Sequence, residues 1–151
     1  MGLGLSGLRD VLDEMVSVLR DALDDVDVDI QVERGMVLNP SPPTVDVYVS
    51  DPARDFTAAG FGDIAGGYQV TVRARVLTAD NDAGQDLLIS FLDDEDDLCL
   101  PLLLFADPTL NGKATSMDLV AVSGHRAYET PEPTVAHLGA QWDFIVTAVR
   151  S

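Results

Sequence analysis

Lysine and cysteine are almost missing from this sequence: Lys113 and Cys99 are the only ones. Lys and Arg together number 9 against 26 acidic residues, a formal net charge of −17 over 151 residues. Clustered basic side chains are what grip a phosphate backbone, so nucleic-acid binding has no support here. Adhesion to an anionic membrane needs the same residues and is equally disfavoured. A single cysteine allows neither an intrachain disulfide nor a cysteine-based zinc site. Its setting, Leu98-Cys99-Leu100, reads as a buried, inert thiol. Long hydrophobic runs are lacking too: Leu98 to Ala106, bounded by Asp97 and Asp107, is less than half a membrane span. The start of the chain has neither the basic n-region nor the apolar h-region of a signal peptide. The expectation is a soluble protein made in a cytoplasm, with no membrane partner.

What is present is the composition of a globular protein, 46% hydrophobic and 23% charged. The length suits one domain, 1–151, able to bury roughly two-thirds of its extended surface. Leu8, Val11, Leu12, Met15, Val18, Leu19, Ala22, Leu23 and Val26 recur at spacings of three and four, which predicts an amphipathic helix with Ser6 as its N-cap, ending near Asp24. The period then falls to two at Val26, Val28, Ile30 and Val32, a half-buried strand. Prolines 40, 42 and 43 enforce an extended loop. Val45, Val47 and Val49 mark a second strand, and Gly67 to Ala79 the strongest one. Between these two lies a Gly/Ala-rich excursion at about 53–67, read as a flexible loop that a partner would order.

A second helix is expected from Asp82, with Gln85 completing a capping box. The acid run Asp93, Asp94, Glu95, Asp96 and Asp97 follows. Acids at a helix C-terminus oppose the macrodipole, so the run reads as a loop. Pro101 suits the first turn of a short third helix, and Asn111-Gly112 the positive-φ part of a turn. Strands over Ala114–Gly124 and Ala140–Val149 close the chain, the last being apolar on both faces and therefore interior. The pattern predicts an α+β fold: a mixed, mainly antiparallel sheet of five to six strands, an N-terminal amphipathic helix, and one or two helices between central strands.

Chemistry-bearing motifs are weak. Gly60-Phe61-Gly62-Asp63-Ile64-Ala65 matches a dinucleotide fingerprint in letters, but a loop precedes it and a strand follows. Asp80, Asp82 and Gly84 fail the calcium-loop offsets, and Phe91 stands where the bidentate Glu belongs. His125 and His137 fall in expected loop or turn segments, and Ser123 lacks a nucleophile elbow. No catalytic residue, metal ligand or cofactor follows. Arg73 and Arg75 are conspicuous in so acidic a chain. They read either as cross-strand partners of acids such as Asp46 or Asp118, or as half of an intersubunit salt bridge. The acid run reads as a solvated, self-repelling face, with weak divalent-cation binding as the lesser alternative.

The order of parts resembles the tail terminator proteins of long-tailed bacteriophages, the minor tail proteins of actinobacterial siphophages. Five features carry the resemblance: the helix running into a strand (Ser6 to Glu33); the Pro-rich loop before a valine strand (Pro40 to Val49); the Tyr68 to Val76 strand leading into the helix at Asp82; Ala106-Asp107-Pro108-Thr109-Leu110-Asn111-Gly112 before a valine-rich strand; and the closing Gly139-Ala140-Gln141-Trp142-Asp143-Phe144-Ile145-Val146. The resemblance implies a structural, non-enzymatic protein of the virion tail, assembled in the host cytoplasm. It implies a homohexameric ring, or a monomer until the target is met, placed between the major tail tube protein and a neck or head-completion protein. Phe56 and Phe61 would anchor a partner. Six copies of an acidic chain would let genomic DNA pass without adhering. A head–tail connector is the alternative within this class; a small acidic ligand-binding domain or enzyme is the alternative outside it.

Overall fold

The N-terminal apolar stripe folds as α1, Leu8–Leu23. In the computed structural model, residues 8–24, 30–35, 43–50, 68–77, 81–129 and 136–148 are described. Val11, Leu12, Met15, Val16, Leu19 and Leu23 form the buried face of α1. Val16 lies outside the predicted stripe, while Val18 is only half-buried. The helix packs against the strands 31–34 and 44–49 and against the short helix 100–105, so its buried arc is wider than a narrow stripe.

Five strands form one sheet in the order β1-β2-β3-β5-β4. They are β1 (Gln31–Arg34), β2 (Thr44–Val49), β3 (Tyr68–Leu77), β4 (Ala114–Glu129) and β5 (Ala136–Ala148). The pair β1·β2 is parallel and every other pairing is antiparallel. The fold is thus the α+β class expected, with α2 (Asn81–Leu92) and α3 (Leu100–Phe105) inserted between β3 and β4. Strand alternation puts Val45 and Val47, Val70, Val72 and Ala74, and Ala140, Trp142 and Phe144 on one face. That face joins α1, Leu87, Leu88 and Phe91 of α2, and Leu100 and Leu104 of α3 in one core. Phe105 meets Phe144 edge-on, with ring centroids 6.0 Å apart.

Several boundaries differ from the expectation. α2 begins at Asn81, one residue ahead of the expected start at Asp82. β4 continues through Gly124 to Glu129, and β5 starts at Ala136. His125 and His137 therefore lie in strands, not loops. A glycine ordinarily argues against a strand, but here Gly124 falls at an irregularity between Ser123 and Arg126. A Cβ at Gly124 would sit 3.4 Å from Leu92 Cδ1, so the small residue admits α2 close to β4. Another shift, between Leu119 and Ala121, puts Leu119 opposite Phe144 and Ala121 opposite Asp143, so strict alternation along β4 does not hold. The Gly/Ala-rich stretch with Phe56 and Phe61, the Ser6 cap and the segment 60–65 lie outside the described residues.

The turn before β4 holds three consecutive positive-φ residues: Leu110 (50°), Asn111 (55°) and Gly112 (83°). Asp107 organises it, its carbonyl accepting from Leu110 N and its carboxylate from Asn111 N. Burial of the Leu110 side chain offsets the left-handed backbone of a residue that ordinarily avoids it. Nothing lies within 4 Å of a Cβ added at Gly112, so Gly112→Ala meets backbone strain alone. Its expected cost is about 1–2 kcal/mol, read as a lowered urea midpoint with an unchanged slope.

Candidate functional site

The sheet face opposite the core is polar, and its centre is buried. Register puts Asp46 of β2 opposite Arg73 of β3, and Thr44 opposite Arg75. Both guanidiniums turn onto the one carboxylate. Arg73 donates through Nε to Asp46 Oδ1 (3.1 Å) and through a terminal nitrogen to Oδ2, while Arg75 reaches Oδ2 at 3.1 Å. Asp46 is 0% exposed, Arg73 8% and Arg75 4%. The Arg73 guanidinium also lies 5.1 Å from the centre of the Tyr48 ring, a cation–π contact that holds its plane. Of the two sequence readings, the structure places both arginines in cross-strand pairing with Asp46. Asp118 is exposed on β4 and is not the partner.

A second polar chain crosses the same face. Thr71 donates to Asp143 Oδ1 at 2.7 Å, and its oxygen lies 2.7 Å from Ser50 Oγ. Thr71 has one hydroxyl hydrogen, so Ser50 is the donor to Thr71. The relay therefore runs from Ser50, the residue after β2, to Thr71 of β3 and Asp143 of β5. Sequence reading missed it, although strand alternation, which puts Thr71 on the face of Arg73 and Arg75, was the available signal. The arginines stay protonated, and the Asp143 carboxylate accepts the last hydrogen of the hydroxyl relay. What these bonds do is fix the register of β2, β3 and β5.

Other candidate places are at the surface. An open groove of about 500 Å³ between α1 and β1 is lined by Asp13, Val16, Ser17, Arg20, Asp21, Glu33 and Arg34. Arg20 Nε donates to the Val32 carbonyl at 2.9 Å and a terminal nitrogen lies 3.6 Å from Glu33, while Arg34 pairs with Asp13 at 3.0 Å. These contacts pin the helix to the strand; exposed pairs of this kind contribute about 0–1 kcal/mol each. Among the described residues, no group of three or more His, Cys, Asp or Glu is placed to hold a metal ion. Within the described residues, no helix is long and apolar enough to cross a membrane.

The acid run is a loop, and two of its members have a local task. Asp93 accepts from the Glu95 amide and Asp96 from the Leu98 amide, both at 2.9 Å. Those are Asx turns, which reverse the chain between α2 and α3. Turn chemistry thus accounts for Asp93 and Asp96, while Asp94, Glu95 and Asp97 are exposed. Compared with protein-family models and with curated proteins, the sequence matches neither a family model nor a curated protein.

Proposed function

We propose that this protein is a structural component of a bacteriophage tail, a terminator that caps the tail tube as a ring and joins it to the neck. The observation that carries the reading is the order of parts. An amphipathic helix runs to a short strand, a valine strand precedes the central β3, two helices interrupt the sheet, and a turn at Asp107–Gly112 leads into a closing hairpin of β4 and β5. Further support comes from how the charged groups are used. Asp46, Arg73 and Arg75 are spent on holding the sheet together, as are Thr71 and Asp143. The surface left over is acidic, which suits a passage through which DNA moves without adhering.

The first test is assembly. Native mass spectrometry and negative-stain microscopy of the protein, alone and with tail tubes, are expected to give six-membered rings, either free or seated at tube ends. A strict monomer at high concentration that also ignores tubes contradicts the reading. Binding to head or neck particles without binding to tubes makes the protein a head–tail connector instead.

A further inference from the structure

The sheet has two ends of unlike character. At one end, the Val32 carbonyl of β1 is taken by Arg20, and the ion-paired groove of α1 lies alongside. Bulky charged side chains of this kind blunt an edge against further pairing. At the other end, β4 runs 16 residues with β5 as its only strand neighbour among the described residues. It contains no proline, and Asp118 is the only charge between Ala114 and Gly124. Leu119, Val120 and Val122 are 37%, 57% and 50% exposed. Leu119 and Val122 stand opposite Phe144 and Trp142, on the core face, so the helix layer stops short of them.

The described side chains around the Asp118–Val122 part of this edge are mainly acidic, with Arg126 further along β4. Leu92 at the end of α2 reaches Gly124 of β4, and the acid run starts at the next residue, Asp93. Asp86, Asp93, Asp94, Glu95, Asp97 and Asp118 are exposed on α2, its following loop and β4, and Lys113 directly precedes β4. Among the described side chains, the exposed arginines are Arg9, Arg20 and Arg34, on α1 and β1. A second copy pairing symmetrically through β4 would set acid-rich surfaces side by side.

We infer that β4 is a docking edge for an extended segment of another protein, with alternating apolar residues flanked by Lys or Arg. The segment adds a sixth strand: backbone hydrogen bonds supply pairing, the Leu119–Val122 stretch takes the apolar side chains, and the neighbouring acids select the flanking cations. This goes beyond tail termination and stands or falls separately from it.

A synthetic probe of alternating Val and Thr with paired lysines at each end tests it on the full chain. Binding is expected by fluorescence anisotropy, with hydrogen-exchange protection of the Asp118–Val122 amides. Affinity should fall roughly tenfold between low and high salt, as an exposed charged contact is screened. A probe with glutamates for lysines should not bind. Val120→Lys with Val122→Lys should weaken the cationic probe roughly tenfold while circular dichroism is unchanged, since both side chains are exposed. Replacing Asp93 to Asp97 with Asn should flatten the salt dependence. Equal binding of the glutamate probe, no protection in β4, or unchanged affinity of the lysine variant overturns the inference. So does a stable dimer of the chain whose β4 amides are protected, because a second copy then occupies the edge.

Discussion

Replacing Asp46 with alanine is expected to cost about 3–5 kcal/mol, because it removes the carboxylate that two buried guanidiniums share. Arg73 and Arg75 have little solvent to turn to, being 8% and 4% exposed. For a domain whose whole stability is about 5–15 kcal/mol, that loss leaves a marginal or unfolded chain. The triple replacement Asp46→Leu, Arg73→Met, Arg75→Met removes all three charges together and is expected to recover most of the loss. A buried ion cluster gains little over well-packed apolar groups of similar volume, even though breaking it is expensive. Urea titration of the single and triple variants checks both halves. A cost under about 1 kcal/mol for Asp46→Ala would mean that the cluster is solvated and contributes as little as a surface pair.

Trp142→Ala is expected to be comparably severe, about 3–5 kcal/mol. The side chain is 1% exposed and sits mid-sheet on β5, between Val72 of β3 and Val122 of β4. Its removal leaves a cavity that backbones fixed on both sides have little freedom to close. Val122 is its cross-strand neighbour but half exposed, so Val122→Ala should change stability by less than about 0.5 kcal/mol. Thermal melts of the two variants separate them, at roughly 2–4 °C per kcal/mol for a domain of this size. Equal shifts would contradict the contrast in burial between Trp142 and Val122, which share one face of the sheet.

Much of the fold was legible because its signals are periodic. The three-and-four spacing from Leu8 to Leu23 became α1, and the alternation of Tyr68 to Val76 became the central strand. The apolar content of both faces of the closing strand marked it as interior, which its place between β3 and β4 bears out. The parallel partnership of β1 with β2 left no local trace, since pairing partners distant in sequence are chosen by tertiary packing. The shifts in β4 were hidden for a related reason. A bulge inserts one residue and reverses the facing of all that follow, so a single alternating pattern misassigns Ala121 and stops at Gly124.

The polar cluster was half legible. Arg73 and Arg75 stood out by their scarcity, and Asp46 was a named partner, but their burial was not anticipated, because alternation suggests a solvated outer face. The turn-forming role of Asp93 and Asp96 was masked by the charge run that contains them. Their carboxylates cap backbone amides two residues ahead, a short-range geometry that composition alone does not convey.

Tail termination is tested most directly by tube length. Purified phage tail tube protein, polymerised with and without this chain, is scored by electron microscopy for length and for density at the tube ends. Growth that stops on addition of the protein, with a ring of six copies at one end of each tube, is the expected result. Tubes that keep elongating with bare ends at saturating protein would contradict it.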